Sequence, residues 1–354
     1  MREEFVSDLK EGMVTAKSVF TPDGLLIVPD GVTLTAPIIR HLDALNVFSI
    51  IIMEDSDTKK EEKPIDVNSE ELVEFQKSYV TAKDKLNDTF EKVMNLKANK
   101  KDIVSLITES WSVCKRANNS YDTINMLYSM HSYSDSTYMH SMNVGIIASL
   151  LGKWLGWSEA DQKRLHTCGL FHDIGKLKIP KSILDKPGKL TNEEYAAMKQ
   201  HTILGYNLLR DMGLESCVVN SALMHHERCD GTGYPMGATR ETIDKYSKVV
   251  AIADVYEAMT ANRVYRSAMC PFDVIARIEE EGFMHFETEY LLVFLQNIVD
   301  TYQNSKVTLS NGEKAEIVLI NRQKGSRPLV LTSSGRAIDL TKEKNISITE
   351  VNSM

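Results

Sequence analysis

The sequence predicts a mainly α protein, with an all-helical core domain, a small α+β module before it and a small β appendage after it. Three observations carry that reading. Apolar residues recur at helical spacing almost without a break from residue 100 to residue 300, as amphipathic helices packed on one core require. The first 55 residues instead hold short apolar runs between turn signals. Beyond Asn304, apolar and polar residues alternate around Asn-Gly and Ser-Gly dipeptides, the pattern of strands joined by tight turns.

In residues 1–55, Pro22-Asp23-Gly24 and Pro29-Asp30-Gly31 flank a strand-like Leu25 to Val28. A helical pattern begins at Pro37, and Val47 to Met53 reads as a further strand. Residues 56–68 are dense in charge and contain Pro64, the composition of a linker. Residues 69–125 form a helical connector. Its first helix, 69–97, carries Leu72, Phe75, Tyr79, Leu86, Phe90 and Val93 on one face. That stripe suits packing on the same chain and, equally, a homodimer through this helix. The core domain spans 126–304. Within it Ser158 stands three residues before Asp161 and Thr191 three before Glu194, arrangements that start helices. Residues 305–354 are the β appendage, two hairpins turning at Asn311-Gly312 and Ser334-Gly335.

A chain of 354 residues with 43% apolar content buries a sizeable core. Its net charge of -8 opposes a broad electrostatic footprint on DNA, RNA or anionic membrane. Any nucleotide must therefore be met by a local positive pocket. Cys114, Cys168, Cys217, Cys229 and Cys270 are odd in number, scattered and never in a CxxC pair, so neither a disulfide frame nor a zinc knuckle is expected and the compartment reads as cytoplasmic. The N-terminal MREEFVSDLKEG has no apolar stretch after its charges, and Val47 to Met53 is about a third of a bilayer-spanning helix. No signal peptide or membrane anchor is expected.

Against the helical background stand His140, His172-Asp173, His201, His225-His226 and Asp254. The set takes five of the chain's nine histidines and places them among apolar neighbours, as in GLFHDIGK and ALMHHERCDG. Buried imidazoles and carboxylates need strong partners, and such groups projected from separate helices are how helical folds build metal sites. His140, His172, Asp173 and Asp254 would satisfy one ion, which leaves His201, His225 and His226 unused. Two ions about 3.5 to 4 Å apart, with one Asp173 oxygen on each, employ all seven. The mixed N/O donor set favours iron or manganese over zinc. His41, His131, His166 and His285 lack this company and are assigned to surface or packing.

His172-Asp173-Ile174-Gly175-Lys176 followed by HHERCDGTGYP from His225 to Pro235 resembles the HD-GYP family of cyclic di-GMP phosphodiesterases, over residues 130 to 300 or so. The stretch before His201 and ADVYEAMTANRVYR from Ala253 fit as well. The resemblance implies an HD-type fold, the same seven metal ligands, and substrate contacts from Lys176, Tyr234, Arg263 and Arg266. It also implies cleavage of a cyclic dinucleotide to linear pGpG and, in some members, onward to GMP. The physics agrees: two divalent ions outweigh the charges of Asp173 and Asp254, so the site attracts a phosphodiester. A water bridging the ions would have its pKa lowered toward about 7 and attack phosphorus as hydroxide, with Asp173 and Lys176 as the catalytic side chains. Arg263 and Arg266 share a helical face suited to a second phosphate, and Tyr234 can stack on a base. Glu227, Arg228 and Asp230 read as braces of the loop and the histidines.

Some positions depart from the family pattern. Ser136 stands where three-metal members have a glutamate, which predicts two metals. Cys229, Lys248, Arg240 and Lys178 differ from the usual residues near the site without removing a ligand. Two readings compete with hydrolysis of cyclic di-GMP by this domain. One is a binding module that senses a cyclic dinucleotide with little turnover, for which the full ligand set would be superfluous. The other is a different substrate, either cyclic GMP-AMP or an ordinary nucleotide; the Tyr234 loop and the two arginines disfavour the latter.

Overall fold

A computed structural model describes all residues except 21–25, 46, 54–69, 96, 117–119, 131–136, 262–267 and 354. Ser136, Arg263, Arg266, His131 and the whole of the charged linker lie outside the described residues. The protein is mainly α, and it divides into two compact units, Met1–Pro64 with Tyr302–Met354, and Ile65–Thr301. The segments read from sequence as an N-terminal module and a β appendage thus gather in one unit. The connector lies in the other, together with the core helices.

In the first unit, strand β1 (Arg2–Phe5) precedes β2 (Val19–Phe20), β3 (Leu26–Val28), helix α1 (Ala36–Ala44) and β4 (Ser49–Ile52). β1 pairs antiparallel with β4, and β2 with β3. Val28, Leu34, Ile38, Leu42 and Ile52 form the small core. The C-terminal half is one five-stranded antiparallel sheet, ordered β8-β7-β6-β5-β9, from β5 (Lys306–Leu309), β6 (Lys314–Leu319), β7 (Leu329–Thr332), β8 (Ala337–Asp339) and β9 (Ile348–Ser353). Both expected hairpins are present, and Gly312 and Gly335 take the positive φ their turns require (84° and 85°). The sequence reading missed β9. Its register on β5 is bulged, and the turn before it, closed by Ile346 N on the Glu343 carbonyl at 3.0 Å, contains no glycine to announce it.

The second unit begins with α2 (Glu70–Met94), α3 (Lys100–Cys114), α4 (Ser120–Met130), α5 (Thr137–Trp154) and α6 (Glu159–Phe171). A 3-10 turn (Ile174–Lys178) leads into α7 (Lys181–Leu184), α8 (Asn192–Lys199), α9 (His201–Asp211) and α10 (Ser216–Met224). After a loop come α11 (Lys245–Thr260), α12 (Pro271–His285) and α13 (Thr288–Asp300). The predicted starts are real: Ser158 accepts from Asp161 N, and Thr191 with Glu194 forms a full capping box. The apolar stripe of α2 packs on α3, α4 and α5 of its own chain. The stripe is therefore covered within its own chain, the first of the two packings it suits. All five cysteines are free thiols. Among the described residues no helix is long and apolar enough to cross a membrane.

Helix α5 is buried on every side from Met139 to Gly152, as befits a helix apolar all round. It crosses α6 at a pair of glycines, where a Cβ on Gly169 would lie 2.6 Å from Gly145 Cα. A second close approach seats the 3-10 turn on α9, where a Cβ on Gly175 would lie 1.9 Å from the His201 carbonyl oxygen. These two contacts bring the ends of α5, α6 and α9 to one place.

Candidate metal centre

His140 projects from the first turns of α5, and His172-Asp173 follows the last turn of α6. His201 opens α9, His225-His226 closes α10, and Asp254 sits in the middle of α11. These seven residues, separated by up to 114 positions in the chain, converge on one buried cluster. Their ligand atoms fall into two groups capable of holding a metal ion, Asp173 with His201, His225 and His226, and His140 with His172 and Asp254, each with its atoms within 4.8 Å of one another. Asp173 stands between them. Its Oδ2 is 3.4 Å from His140 Nε2 and 3.3 Å from His172 Nε2, while its Oδ1 is 3.4 Å from His201 Nε2 and 3.6 Å from His225 Nε2. Asp254 reaches across as well, with Oδ1 3.1 Å from His140 Nε2 and Oδ2 3.8 Å from His226 Nδ1.

The outer hydrogen bonds set the tautomers. His172 Nδ1 donates to the Gly169 carbonyl at 2.6 Å, His201 Nδ1 to Met198 at 2.7 Å, and His225 Nδ1 to Ser221 at 3.0 Å. A carbonyl only accepts, so each Nδ1 carries hydrogen, and each ring in its neutral form aims an Nε2 lone pair inward. His140 does the same through Glu257, whose carboxylate accepts from Nδ1. His201 Nε2 and His225 Nε2 then face one another at 3.3 Å as two acceptors, an arrangement that a shared cation relieves. Buried His172 Nε2 and Asp173 Oδ1 have no hydrogen-bond partner, which native interiors tolerate where an ion completes the site. The donor chemistry thus fits divalent metal.

Electrostatics divides the cluster. Burial lowers His201, to a pKa of about 4, and holds His225 and His226 below the ordinary imidazole value. Burial also acts on His172, but the Asp173 charge overcomes it and lifts the pKa to about 9. Burial opposes ionisation of Asp173 and Asp254. Lys176 and the facing imidazoles prevail for Asp173, as His140 and His172 do for Asp254, and both carboxylates stay well below their usual range. Lys176 lies on the 3-10 turn and donates to Asp173 Oδ2.

Beside the cluster opens a cavity of 570 Å³ lined by His225, His226, Arg228, Tyr234, Arg277 and Glu281 among others. Tyr234 lays its ring against His226, centroids 4.7 Å apart. Its loop is braced by Glu227, whose carboxylate accepts from Met236 N at 2.7 Å and Ala238 N at 2.9 Å. Asp230 accepts from Thr232 and from His285. Arg228 and Glu227 both line the cavity. Arg240 and Lys248 both pair with Glu287. Sequence reasoning missed Glu257 and Arg277. Glu257 had a signal, since it follows Asp254 by three residues on the same face of α11. Arg277 had none.

The HD domain family model matches residues 121–289, the stretch that contains every ligand and the Tyr234 loop. This match, with His172-Asp173 and the His225 to Pro235 motif inside it, is consistent with the HD-GYP family. The chain is similar to a 3'3'-cGAMP-specific phosphodiesterase of Vibrio cholerae, at 38% identity over 49% of this chain and 40% of the relative. It is similar to a cyclic di-GMP phosphodiesterase of Pseudomonas aeruginosa at 36% identity, over 46% of this chain and 39% of the relative. A cyclic di-GMP phosphodiesterase of Thermotoga maritima matches at 33% identity over 52% of each chain. The chain therefore spans about two fifths to one half of the length of these relatives. Among solved structures, an HDG"Y"P protein from Bdellovibrio bacteriovorus shares the fold at TM-score 0.53 and 15% identity, covering 84% of this chain and 99% of that one.

Proposed function

We propose that the HD domain of this chain is a metal-dependent phosphodiesterase that opens cyclic di-GMP to linear pGpG. The observation that carries the proposal is the position of Asp173, one oxygen toward each of two histidine groups. A single structural ion would not need that arrangement. His140, His172 and Asp254 would hold one cation, and His201, His225 and His226 the other, with Asp173 common to both. Iron or manganese suits these donors. Bound there, two such cations supply Lewis-acid activation of water and neutralise the phosphodiester.

The chain's own residues do the rest. The backbone carbonyls behind His172, His201 and His225 hold the rings in the orientation that presents Nε2. Lys176 places an ammonium at the edge of the cluster, where it stabilises charge gathering on phosphate oxygens. Tyr234 offers the cavity an aromatic face for a purine, and Arg228 and Arg277 offer guanidinium groups for a phosphate or a base edge. Arg263 and Arg266 are retained in this reading as contacts to the second phosphate. Cyclic GMP-AMP is a second substrate reading, favoured by the 38% identity to the cGAMP-specific relative.

Anaerobic incubation of the full chain, loaded with manganese or iron, with each cyclic dinucleotide tests both readings. Chromatography should resolve linear pGpG accumulating from cyclic di-GMP. Tight binding without product would make the domain a sensor, and faster opening of cyclic GMP-AMP would reassign the substrate.

A further inference from the structure

The buried polar chain behind His140 does not end at Glu257. Glu257 Oε1 accepts from Asn143 Nδ2 at 3.0 Å, and Asn143 Oδ1 accepts from the Tyr79 hydroxyl at 2.6 Å. The same hydroxyl reaches the carbonyl of Met139, the residue before His140, at 3.3 Å. Each of these side chains is at least 95% buried. The direction of the chain is fixed at one end. A carboxylate only accepts, so the Asn143 amide must turn its NH2 to Glu257 and its oxygen to Tyr79. Tyr79 lies on α2, outside the 121–289 segment that matches the HD domain.

We propose that Tyr79 is a positioning residue for the metal centre, acting through Asn143 and Glu257 to hold the His140 ring, so that α2 sets how well the His140 side of the centre takes a cation. This rests on the reading of the seven residues as metal ligands. Without the hydroxyl, the Asn143 oxygen loses its donor and the amide is held only at its Glu257 end. The bond from Asn143 to Glu257 is then loosened, and with it one of the contacts that steady the carboxylate orienting His140. A partner one step behind a ligand ordinarily shifts metal affinity by about 10- to 100-fold, and one two steps further back belongs at the lower end of that range. Packing of α2 is a separate matter. The Tyr79 ring lies 5.9 Å from that of Phe75, which is equally buried and takes no part in these hydrogen bonds.

The test measures Mn²⁺ affinity of the full chain by competition with a chelator, in Tyr79→Phe, Asn143→Ala, the double variant and Phe75→Leu. Tyr79→Phe should weaken Mn²⁺ binding about tenfold, while Phe75→Leu lowers the melting temperature and leaves affinity within about twofold of wild type. The double variant should bind as Asn143→Ala alone does, because the two groups act in series. If Tyr79→Phe unfolds, Asn143→Asp keeps the bond from Tyr79 but replaces the donor to Glu257 with a second carboxylate, and should show the same loss. Mn²⁺ affinity in Tyr79→Phe no lower than in Phe75→Leu, or losses that multiply in the double variant, would overturn the proposal. A chain that binds Mn²⁺ without opening cyclic di-GMP would leave the proposal standing and defeat only the substrate reading. A wild-type chain that binds no Mn²⁺ would defeat both.

Discussion

Asp173 and His166 show how differently two buried polar groups can be employed. Asp173 is held ionised against burial by Lys176 and the facing histidines, and its two oxygens serve two sets of partners. Replacement by Ala removes the group common to both sets. Asp173→Ala should therefore lose both cations and reduce turnover at least about a hundredfold, read by metal analysis and product formation; an active variant with one cation would refute a shared carboxylate. His166 is as buried, with Ser110 Oγ at 2.9 Å and Cys114 Sγ at 3.3 Å from its ring nitrogens, and burial lowers its pKa to about 4. The unfolded chain binds a proton there near pH 6.5, so this residue's contribution to stability is complete above 6.5 and is lost as pH falls toward 4. The loss is on the order of 3 kcal/mol. His166→Gln should flatten the pH dependence of urea stability across that window by this amount, and an unchanged slope would show that His166 is not the group titrating. The sequence sets His166 apart because it stands between Leu165 and Thr167, whereas His172, His225 and His226 each have an adjacent Asp or His; His140 and His201 have none and join the set on their apolar surroundings. Glu257 escaped notice because a lone glutamate on a helix reads as solvated until His140 is seen beside it.

At the level of elements, the site depends on how closely α5 and α6 approach, since one carries His140 and the other ends at His172. Gly145 and Gly169 permit that approach, and the Gly169 carbonyl also orients the His172 ring. Gly169→Ala should push the helices apart at a cost of about 1–3 kcal/mol and weaken cation binding as well, checked by denaturant titration and Mn²⁺ competition on the same variant. Wild-type stability in that variant would mean that the crossing has slack. Helix existence and starts were legible because Ser158 and Thr191 state them locally. The glycine crossing was not, because neither glycine shows from sequence which helix it faces. The stripe on α2 was legible as a buried face but not as to its partner, which only the contacts with α3, α4 and α5 decide.

For the whole molecule, the seven candidate ligands come from α5, the end of α6, α9, the end of α10 and α11, all within the 65–301 unit. Unfolding that unit disperses them, so a cation that binds the folded form must stabilise it. At a free concentration of 100 times the dissociation constant, each site adds about 2.7 kcal/mol. The outer hydrogen bonds to Gly169, Met198 and Ser221 already orient three of the rings, which makes the cluster one that receives metal rather than one that metal assembles. The two cases differ in what denaturant sees. A preformed cluster exposes the same surface on unfolding with or without the ion, so Mn²⁺ should raise the urea midpoint of wild type and leave the m-value unchanged. Asp173→Ala should show no such rise. An m-value that grows on adding Mn²⁺ would instead mean that the cation folds part of the helical unit, and the carbonyl bonds behind the histidines would then be a consequence of binding rather than its preparation.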